Sequence, residues 1–497
     1  MAATPVAAVA ALAATLSFTV AATPLHTAIV TSDQAALRAA PRDSAQQQAQ
    51  LWQGEVLEVR GERLDYLQVY DHQRERAGYV RASQVRRTAL APAEAPALLA
   101  VLRFVQDRPG SEALGIGLAA AYLQAAPAEA LNGADGVAAF DALGAMADRL
   151  ARRASSGASL TKPQEAALSA HLDVARHYGV NFASYEREGR MTICYDGEAF
   201  RRVLALQSAS EQRARAALAL TRTECVDPNL QPLQRAQVDQ WRSEVLERVD
   251  AAALPGWLRN RVQMRRAGVY ATVAYQRVRQ GQPAEEAAKS ALTELAGVTK
   301  AELTDVDIPA YNDAAMRVNA SRWAALPDAA AKANTGRGPS IVTLPGQPGE
   351  TCVLLVDARH DVKSPLARRC TYAIVWANSA SLNREGTALA LAVQPLEAWR
   401  ELWLFRKDAR GAWDISVLPP ATTHPDLGYA EFAGWVPGGK QVLVAREARG
   451  EGKYKKSFEV VKLNTLTTER QAAEATMLGA FQRWQDAGWK GMSVSVR

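Results

Sequence analysis

Two of the six histidines lie close enough in the sequence to suggest shared chemistry. His171 and His177 occur in one predicted helix, with Asp173 between them. Because a helix turns through about 100° per residue, the two imidazoles should lie about 120° apart around the axis and more than one turn apart along it. A metal ion bound by both is therefore not expected. Asp173 and His177, at positions i and i+4, are expected to form an exposed helical pair.

His360 is the other candidate for catalysis. It follows a predicted strand in the segment DARHDVKS, beside Asp357 and Asp361, and functional residues are often found in loops held by a rigid scaffold. A turn rich in Asp and His has the same composition without any function. The sequence contains no GxSxG, no SxxK followed by SDN, no HExxH and no GxxxxGK[ST]. It therefore predicts no catalytic residue, no metal site and no cofactor.

Acidic residues interrupt two predicted strands near the C-terminus. Glu431 and Glu447 each lie among apolar residues. We expect them to pair with Arg446 or Arg449, since nothing indicates a cleft in which two carboxyl groups would act as general acid and base.

Aromatic residues are concentrated in the last third of the chain, where seven of the eleven tryptophans occur. Such side chains bind sugars or peptides by stacking when they are exposed, and they fill the core of a sheet when they are buried. Both interpretations apply to the set Trp399, Trp403, Phe405 and Trp413.

The charge distribution argues against a nucleic-acid partner. The 497 residues include 58 Lys and Arg against 52 Asp and Glu, a formal charge of +6. Lys and Arg are scattered among Asp and Glu along the chain, whereas a nucleic-acid site usually collects basic residues on one face.

The N-terminal segment is typical of an export signal. The first 32 residues carry no charged side chain, and residues 1–22 are Ala-rich and apolar. Val20-Ala21-Ala22 supplies the small residues that signal peptidase requires, which predicts cleavage before Thr23. The segment lacks the usual basic residue, so an upstream start or an uncleaved membrane anchor stays open. We expect a periplasmic or secreted bacterial protein that contacts a membrane only if the leader is retained.

Four cysteines fit an exported protein. No CxxC occurs and no histidine lies at zinc-finger spacing, so disulfides are favoured over zinc. Of the three possible connectivities, we favour Cys194–Cys225 and Cys352–Cys370, because each keeps the bridge within one predicted domain. Loops of this size should each contribute about 3 kcal/mol.

Short strands with period-two alternation are predicted from residue 27 to residue 88. This stretch resembles a bacterial SH3 (SH3b) domain. The resemblance is carried by LRAAP at 37–41, by Leu51, Gly54, Leu57 and Val59 in an LxxGxxVxV pattern, by YLQV at 66–69, by GYV at 78–80 and by ASQV at 82–85.

The SH3b resemblance implies a small five- or six-stranded β-barrel and, in many members, binding of cell-wall peptide or peptidoglycan. Other members are structural spacers. The aromatic groove of the family would be formed here by Tyr66, Tyr70 and Tyr79. The family usually has Trp where Tyr66 and Tyr79 stand.

Two further domains are predicted after the strands. Residues 92–332 show helical periodicity without a repeat and predict an irregular all-α domain. A Gly/Pro linker, 333–349, leads to an antiparallel β-rich domain over 338–497. There GWVPGGKQVLVAREARGEGKYKKSFEVVKLNT looks like a TolB-type propeller blade, but the chain provides only about two blades. The fold class predicted is multidomain α+β.

The function expected from these features is non-catalytic. We expect a cell-envelope binding or scaffold protein whose SH3b-like domain binds peptidoglycan or an envelope protein. Two alternatives stay open: an envelope hydrolase without a recognisable motif, and an assembly factor whose barrel contacts only its own helical domain.

Overall fold

The chain divides into two compact units. In a computed structural model, residues 26–157, 160–187, 189–326, 338–422 and 425–492 are described, so the predicted signal peptide, 1–22, lies outside the described residues. The first unit runs to Ala183 and includes Cys194–Asp196, and the second comprises Ser184–Ile193 and the chain from Gly197 onward. The three-domain division at 27–88, 92–332 and 338–497 stays a prediction.

A seven-stranded antiparallel sheet opens the first unit, in the order β3-β2-β6-β5-β4-β1-β7. Its terminal strands β3 and β7 do not pair, so the sheet is not closed into a barrel. The strands are β1 Thr27–Val30, β2 Ala35–Arg38, β3 Gln47–Leu51, β4 Val56–Arg63, β5 Tyr66–Asp71, β6 Arg76–Arg81 and β7 Val85–Thr88.

Alternation of side chains sorts this sheet into two faces. On β5, Leu67 and Val69 are fully buried while Gln68 between them is exposed, as the period of a strand requires. Six of the strands contribute to one apolar cluster, which consists of Ala28, Val30, Ala35, Leu37, Leu51, Leu57, Leu67, Val69 and Val80.

Five helices complete the first unit. Thr161 and Gln164 form a capping box at the start of α5, in which the Thr161 backbone N–H donates to Gln164 Oε1 at 2.9 Å, and Pro163 follows in the first turn. The helices are α1 Ala95–Val105, α2 Glu112–Ala125, α3 Ala128–Asn132, α4 Ala134–Ser155 and α5 Lys162–His177.

A β-hairpin occurs within the region predicted to be all-helical. Strands β8 (Phe182–Arg187) and β9 (Arg190–Tyr195) form a two-stranded sheet. Gly189 has a φ of +71° in its turn, a conformation that glycine adopts without strain. Because the strands are short and flanked by helices, helical periodicity on either side masked them.

Helices and sheets form the second unit. The helices that precede its sheets are α6 Glu198–Ala205, α7 Ser210–Leu220, α8 Pro232–Glu247, α9 Gly256–Arg279, α10 Glu285–Ala296 and α11 Ile308–Ser321. Helix α9 contributes residues to two apolar clusters, one containing Val262 and Val273 and the other Met264 and Tyr270. A helix that is apolar on more than one side belongs in the interior of a fold.

Two sheets follow these helices, one of three strands and one of eight. Both are antiparallel except for a short parallel contact between β15 and β17. The three-stranded sheet contains β10 Ser340–Pro345, β11 Thr351–Val356 and β12 Ala367–Thr371. The larger contains β13 Ile374–Leu382, β14 Ala388–Leu396, β15 Trp399–Lys407, β16 Trp413–Leu418, β17 Leu427–Val436, β18 Gln441–Gly450, β19 Lys453–Lys462 and β20 Thr468–Ala472.

The predicted linker is wrong in part, because it contains strand β10. The segment SIVTLP inside 333–349 pairs with β11 from Ser340↔Val356 to Pro345↔Thr351. Its short apolar run can bury one face against a neighbouring strand, which outweighs the Gly and Pro residues around it. Two short helices end the described chain, α12 Gly479–Trp484 and α13 Ala487–Met492.

The predicted Cys352–Cys370 bridge is confirmed. Cys352 and Cys370 face each other on β11 and β12 and are bonded. Cys194 and Cys225 are also disulfide-bonded, and no described cysteine is free. Two disulfides are typical of an oxidising, extracytoplasmic environment. No helix of the described chain has the length and apolar character to cross a membrane.

Candidate functional site

The three tyrosines predicted to form a groove share one face of the first sheet. Tyr66 and Tyr70 are two positions on either side of Gln68 in β5, and Tyr79 on β6 lies directly opposite Gln68. Directly opposed residues and those two positions away point to the same side of a sheet. We call the side formed by Tyr66, Tyr70 and Tyr79 the tyrosine face.

Tyr66 is the buried anchor of the tyrosine face. Only 2% of its surface is exposed, and its hydroxyl donates a hydrogen bond to Asp43 Oδ1 at 2.6 Å. This hydrogen bond raises the pKa of Tyr66 and lowers the pKa of Asp43. Arg81 also donates to Asp43 and lies over the Tyr66 ring, 5.3 Å from its centroid. Tyr66 therefore orients Arg81 and offers little area of its own to a ligand.

Tyr70 and Tyr79 are partly exposed and supply the accessible aromatic surface. The guanidinium of Arg60 lies 4.0 Å from the Tyr70 ring centroid, a cation–π arrangement. Glu58 holds Arg60 in place through a hydrogen bond of 3.1 Å. The tyrosine face thus combines aromatic rings with fixed guanidinium groups, which suits a ligand that has both a flat or apolar part and an acidic group.

Another part of the same sheet is docked on helices of the first unit. The hydroxyl of Tyr178, next to the end of α5, donates to Gly54 O at 2.7 Å. Gly54 has a φ of +88°, and a Cβ there would lie 2.3 Å from Ala113 O in α2. Glycine is required both by the backbone conformation and by this close approach.

His171 takes part in the docking contact rather than in a metal site. Its side chain is buried, and its Nε2 lies 2.8 Å from Oδ1 of Asp33, in the turn before β2. Gln53 Nε2 donates to Asp33 Oδ2 at 3.0 Å and to Gly110 O at 2.8 Å. The expected pairing of Asp173 is also different, since Asp173 accepts from Arg176 at 3.1 Å.

This contact predicts a pH-dependent stability. Burial raises the pKa of Asp33, but the bonds and charge of His171 and the bonds of Gln53 outweigh it, so the pKa is lowered. Because the pKa is lowered, the ionised carboxylate stabilises the fold at pH values above the pKa of the unfolded state, about 3.9. This stabilisation is lost as the pH falls through the lower pKa of the folded state. The urea midpoints of wild type and Asp33→Asn should therefore differ at pH 6 and converge towards pH 3. A gap that is constant with pH would contradict the contact.

His360 lies in an exposed turn. Its Nδ1 is 3.2 Å from Ser340 Oγ, and its backbone N–H donates to Asp357 O at 3.0 Å. The carboxylates of Asp357 and Asp361 bond backbone N–H groups of the turn, and within the described residues neither contacts the imidazole.

The aromatic set of the second unit is mostly core. Trp399, Trp403 and Phe405 are at most 2% exposed, while Trp413 is partly exposed. Trp403 and Phe405 belong to one apolar cluster that also includes residues of β11 and β14. These residues therefore stabilise the sheets and do not form a stacking surface.

Comparison with protein-family models, with curated proteins and with solved structures gave no match in any of the three. The side-chain geometry is therefore the basis for a functional proposal.

One group of three residues has side chains of metal-binding types, but two of them form a disulfide. Glu350, Cys352 and Cys370 bring their donor atoms close together. The two sulfur atoms form a disulfide, whereas a metal requires thiolates. The cluster is structural.

A buried ion cluster that the sequence did not reveal lies in the second unit. Glu431 contacts Arg322 and lies 3.2 Å from Arg400 Nη2. The expected partners were wrong for Glu431: Arg446 pairs with Glu459 and Arg449 with Asp426. Arg400 stands in the mostly apolar strand WRELWLF beside Glu401, and a charge at a buried strand position was the available signal. Glu447 accepts a hydrogen bond from Tyr429.

Proposed function

We propose that the protein is a non-catalytic binding or scaffold protein of the bacterial cell envelope. Residues 27–88 would act as an SH3b-like module that binds peptidoglycan or an envelope protein through the tyrosine face. The two disulfides support a location outside the cytoplasm, and we propose the periplasm or the cell surface.

The observation that carries this proposal is the pairing of aromatic and cationic groups on the tyrosine face. Tyr70 and Tyr79 are partly exposed while Arg60 and Arg81 are held by carboxylates beside them. Ordered side chains lose little conformational entropy when a ligand binds. Peptidoglycan offers sugar rings for stacking and peptide carboxylates for the arginines, so it matches both properties of the face.

Co-sedimentation of the full chain with isolated sacculi tests the proposal. Wild type should sediment, and Tyr70→Ala or Tyr79→Ala should weaken binding about tenfold, because each removes one stacking surface. Tyr372→Ala is the matched control, since Tyr372 is 58% exposed in the second unit and should not affect binding. Absence of wild-type sedimentation would overturn peptidoglycan as the ligand, and equal loss in the control would overturn the tyrosine face.

A structural assembly role is the second candidate. The docking of Gly54 and Asp33 on α2 and α5 favours it, because this contact joins the sheet to its own helices within the first unit. In that role the tyrosine variants would leave all binding unchanged, while variants at Gly54 would impair folding.

A further inference from the structure

A cavity of about 340 Å³ opens in the second unit beside the buried ion cluster. This volume lies within the usual range of small-ligand sites. Its lining includes apolar and aromatic side chains, Trp323, Leu326, Phe432 and Trp489, and the polar side chains of Asn378 and Ser381. Arg322, Arg400 and Glu431 also line the cavity and are each less than 5% exposed.

The two arginines, Arg322 and Arg400, have more N–H donors than there are acceptors bonded to them among the described residues. Arg400 Nε and Nη1 are buried without a hydrogen bond among the described residues, and so are Arg322 Nε and Nη1. Glu431 is the carboxylate that both guanidinium groups approach, and its Oε2 also accepts from Trp489 Nε1 at 3.2 Å. Leaving buried charged donors unbonded is costly.

The charges of the cluster do not balance. Two guanidinium groups face one carboxylate, which leaves one positive charge in excess. Burial lowers the pKa of Arg400 to about 10, so the group stays protonated at neutral pH. Asp486 also lines the cavity, but it is exposed and its carboxylate accepts from the Trp489 backbone at 3.0 Å. Its charge is screened by solvent more strongly than charges in the interior.

Two neutral groups of the cavity are also unsatisfied. Trp323 Nε1 is a buried donor and Asn378 Oδ1 a buried acceptor, and neither has a hydrogen bond within the described part of the chain. Together with the arginines they form a mixed set: several donors for an anion, and one acceptor for an N–H or O–H group.

We propose that this cavity binds a small organic carboxylate that carries an apolar group and one hydrogen-bond donor. The carboxylate would be bound by Arg400 and Arg322, since a planar guanidinium bonds a carboxylate through two parallel N–H groups. The apolar group would lie against Trp323, Phe432 and Trp489. An acylated amino acid and the C-terminus of a peptide both have this chemistry. The proposal is independent of the tyrosine face.

Titration of the full chain with N-acetyl-L-leucine at constant ionic strength tests the proposal. Tryptophan fluorescence is a direct readout because Trp323 and Trp489 line the cavity. We expect saturable binding, with N-acetyl-L-leucinamide, which lacks the charge, at least about tenfold weaker. Binding of neither compound, or equal binding of both, would overturn the proposal. A tripeptide that ends in leucine is titrated with a free and with an amidated C-terminus. Binding of the free form alone would show that the cavity accepts the end of a peptide, and binding of neither form would restrict the ligand to a small acid such as N-acetyl-L-leucine.

A matched pair of variants locates the site. Ala380 lines the cavity and is exposed, so either substitution should leave the fold intact. Ala380→Glu places a carboxylate at the cavity and should weaken N-acetyl-L-leucine at least about tenfold, while the isosteric Ala380→Gln should not. Equal effects of the two substitutions would contradict an anion site.

Arg400→Gln should abolish binding. Arg406→Gln, on the same strand but bonded to Asp414, is its control and should bind as wild type does. If Arg400→Gln does not fold, the Ala380 pair decides the question.

Discussion

Asp239→Ala should lower the free energy of unfolding of the second unit by about 3–5 kcal/mol, the usual cost of leaving a buried charge without its partner. Asp239 is fully buried on α8. Its Oδ1 accepts from Arg242 Nη1 and its Oδ2 from Arg235 Nε, both at 2.7 Å. Arg242 is only 1% exposed, so water cannot replace the lost carboxylate.

The remaining contacts of Arg242 explain why it cannot move out to solvent. Arg242 Nε and Nη2 donate to Thr221 O at 3.1 and 2.7 Å, and Nη2 also donates to Thr223 Oγ1 at 2.8 Å. These bonds anchor the guanidinium beside the turn that follows α7. Removal of Asp239 therefore leaves the charge in place and unpaired.

Urea denaturation followed by far-ultraviolet circular dichroism measures the effect. Glu285→Ala is the control, because Glu285 and Lys289 form an exposed i,i+4 pair on α10 and such pairs contribute at most about 0.5 kcal/mol. A loss below about 1 kcal/mol for Asp239→Ala would contradict the assigned role.

The second large effect is expected at Gly54. Gly54→Ala should destabilise the first unit by about 2–5 kcal/mol, which combines about 1–2 kcal/mol for a left-handed non-glycine residue with about 1–3 kcal/mol for overpacking. The added Cβ would lie 2.3 Å from Ala113 O and 2.9 Å from Val174 Cγ1. Backbone cannot yield as a flexible side chain does, so the loop must move away from α2.

Gly110→Ala separates the cost of the left-handed backbone from the cost of overpacking. Gly110 has a φ of +89°, almost the same as that of Gly54, but nothing lies within 4 Å of its Cβ position. It should cost only the conformational part, about 1–2 kcal/mol. Hydrogen exchange of the α2 amides should accelerate in Gly54→Ala and not in Gly110→Ala. Equal losses of stability in the two variants would show that the sheet does not depend on close docking.

Local patterns in the sequence were sufficient for several features. Period-two alternation predicted the short strands between residues 27 and 88, and helical periodicity predicted the helices that follow them. Each depends on residues a few positions apart. The Cys352–Cys370 pairing followed from the same locality, since the bridge closes a short loop.

Features formed by residues far apart in the sequence were not predicted. Glu431 looked like a partner for the nearby Arg446, but its cations are Arg322 and Arg400, which come from a helix end and another strand. No contact of His171 was predicted, because its partner Asp33 is distant in the sequence. Periodicity shows that a residue is buried on one side, and it does not identify the distant group that meets it there.

The Cys352–Cys370 bridge also fixes how strand β12 is aligned. This strand, ARRCT, has no fully buried side chain and exposes both arginines, so burial of apolar residues does little to select its alignment. A strand displaced by one position would turn every side chain to the opposite face. Because the bridge joins directly opposed residues, each displaced alignment would pull the two sulfur atoms apart. The disulfide therefore holds the edge strand β12 in its register with β11.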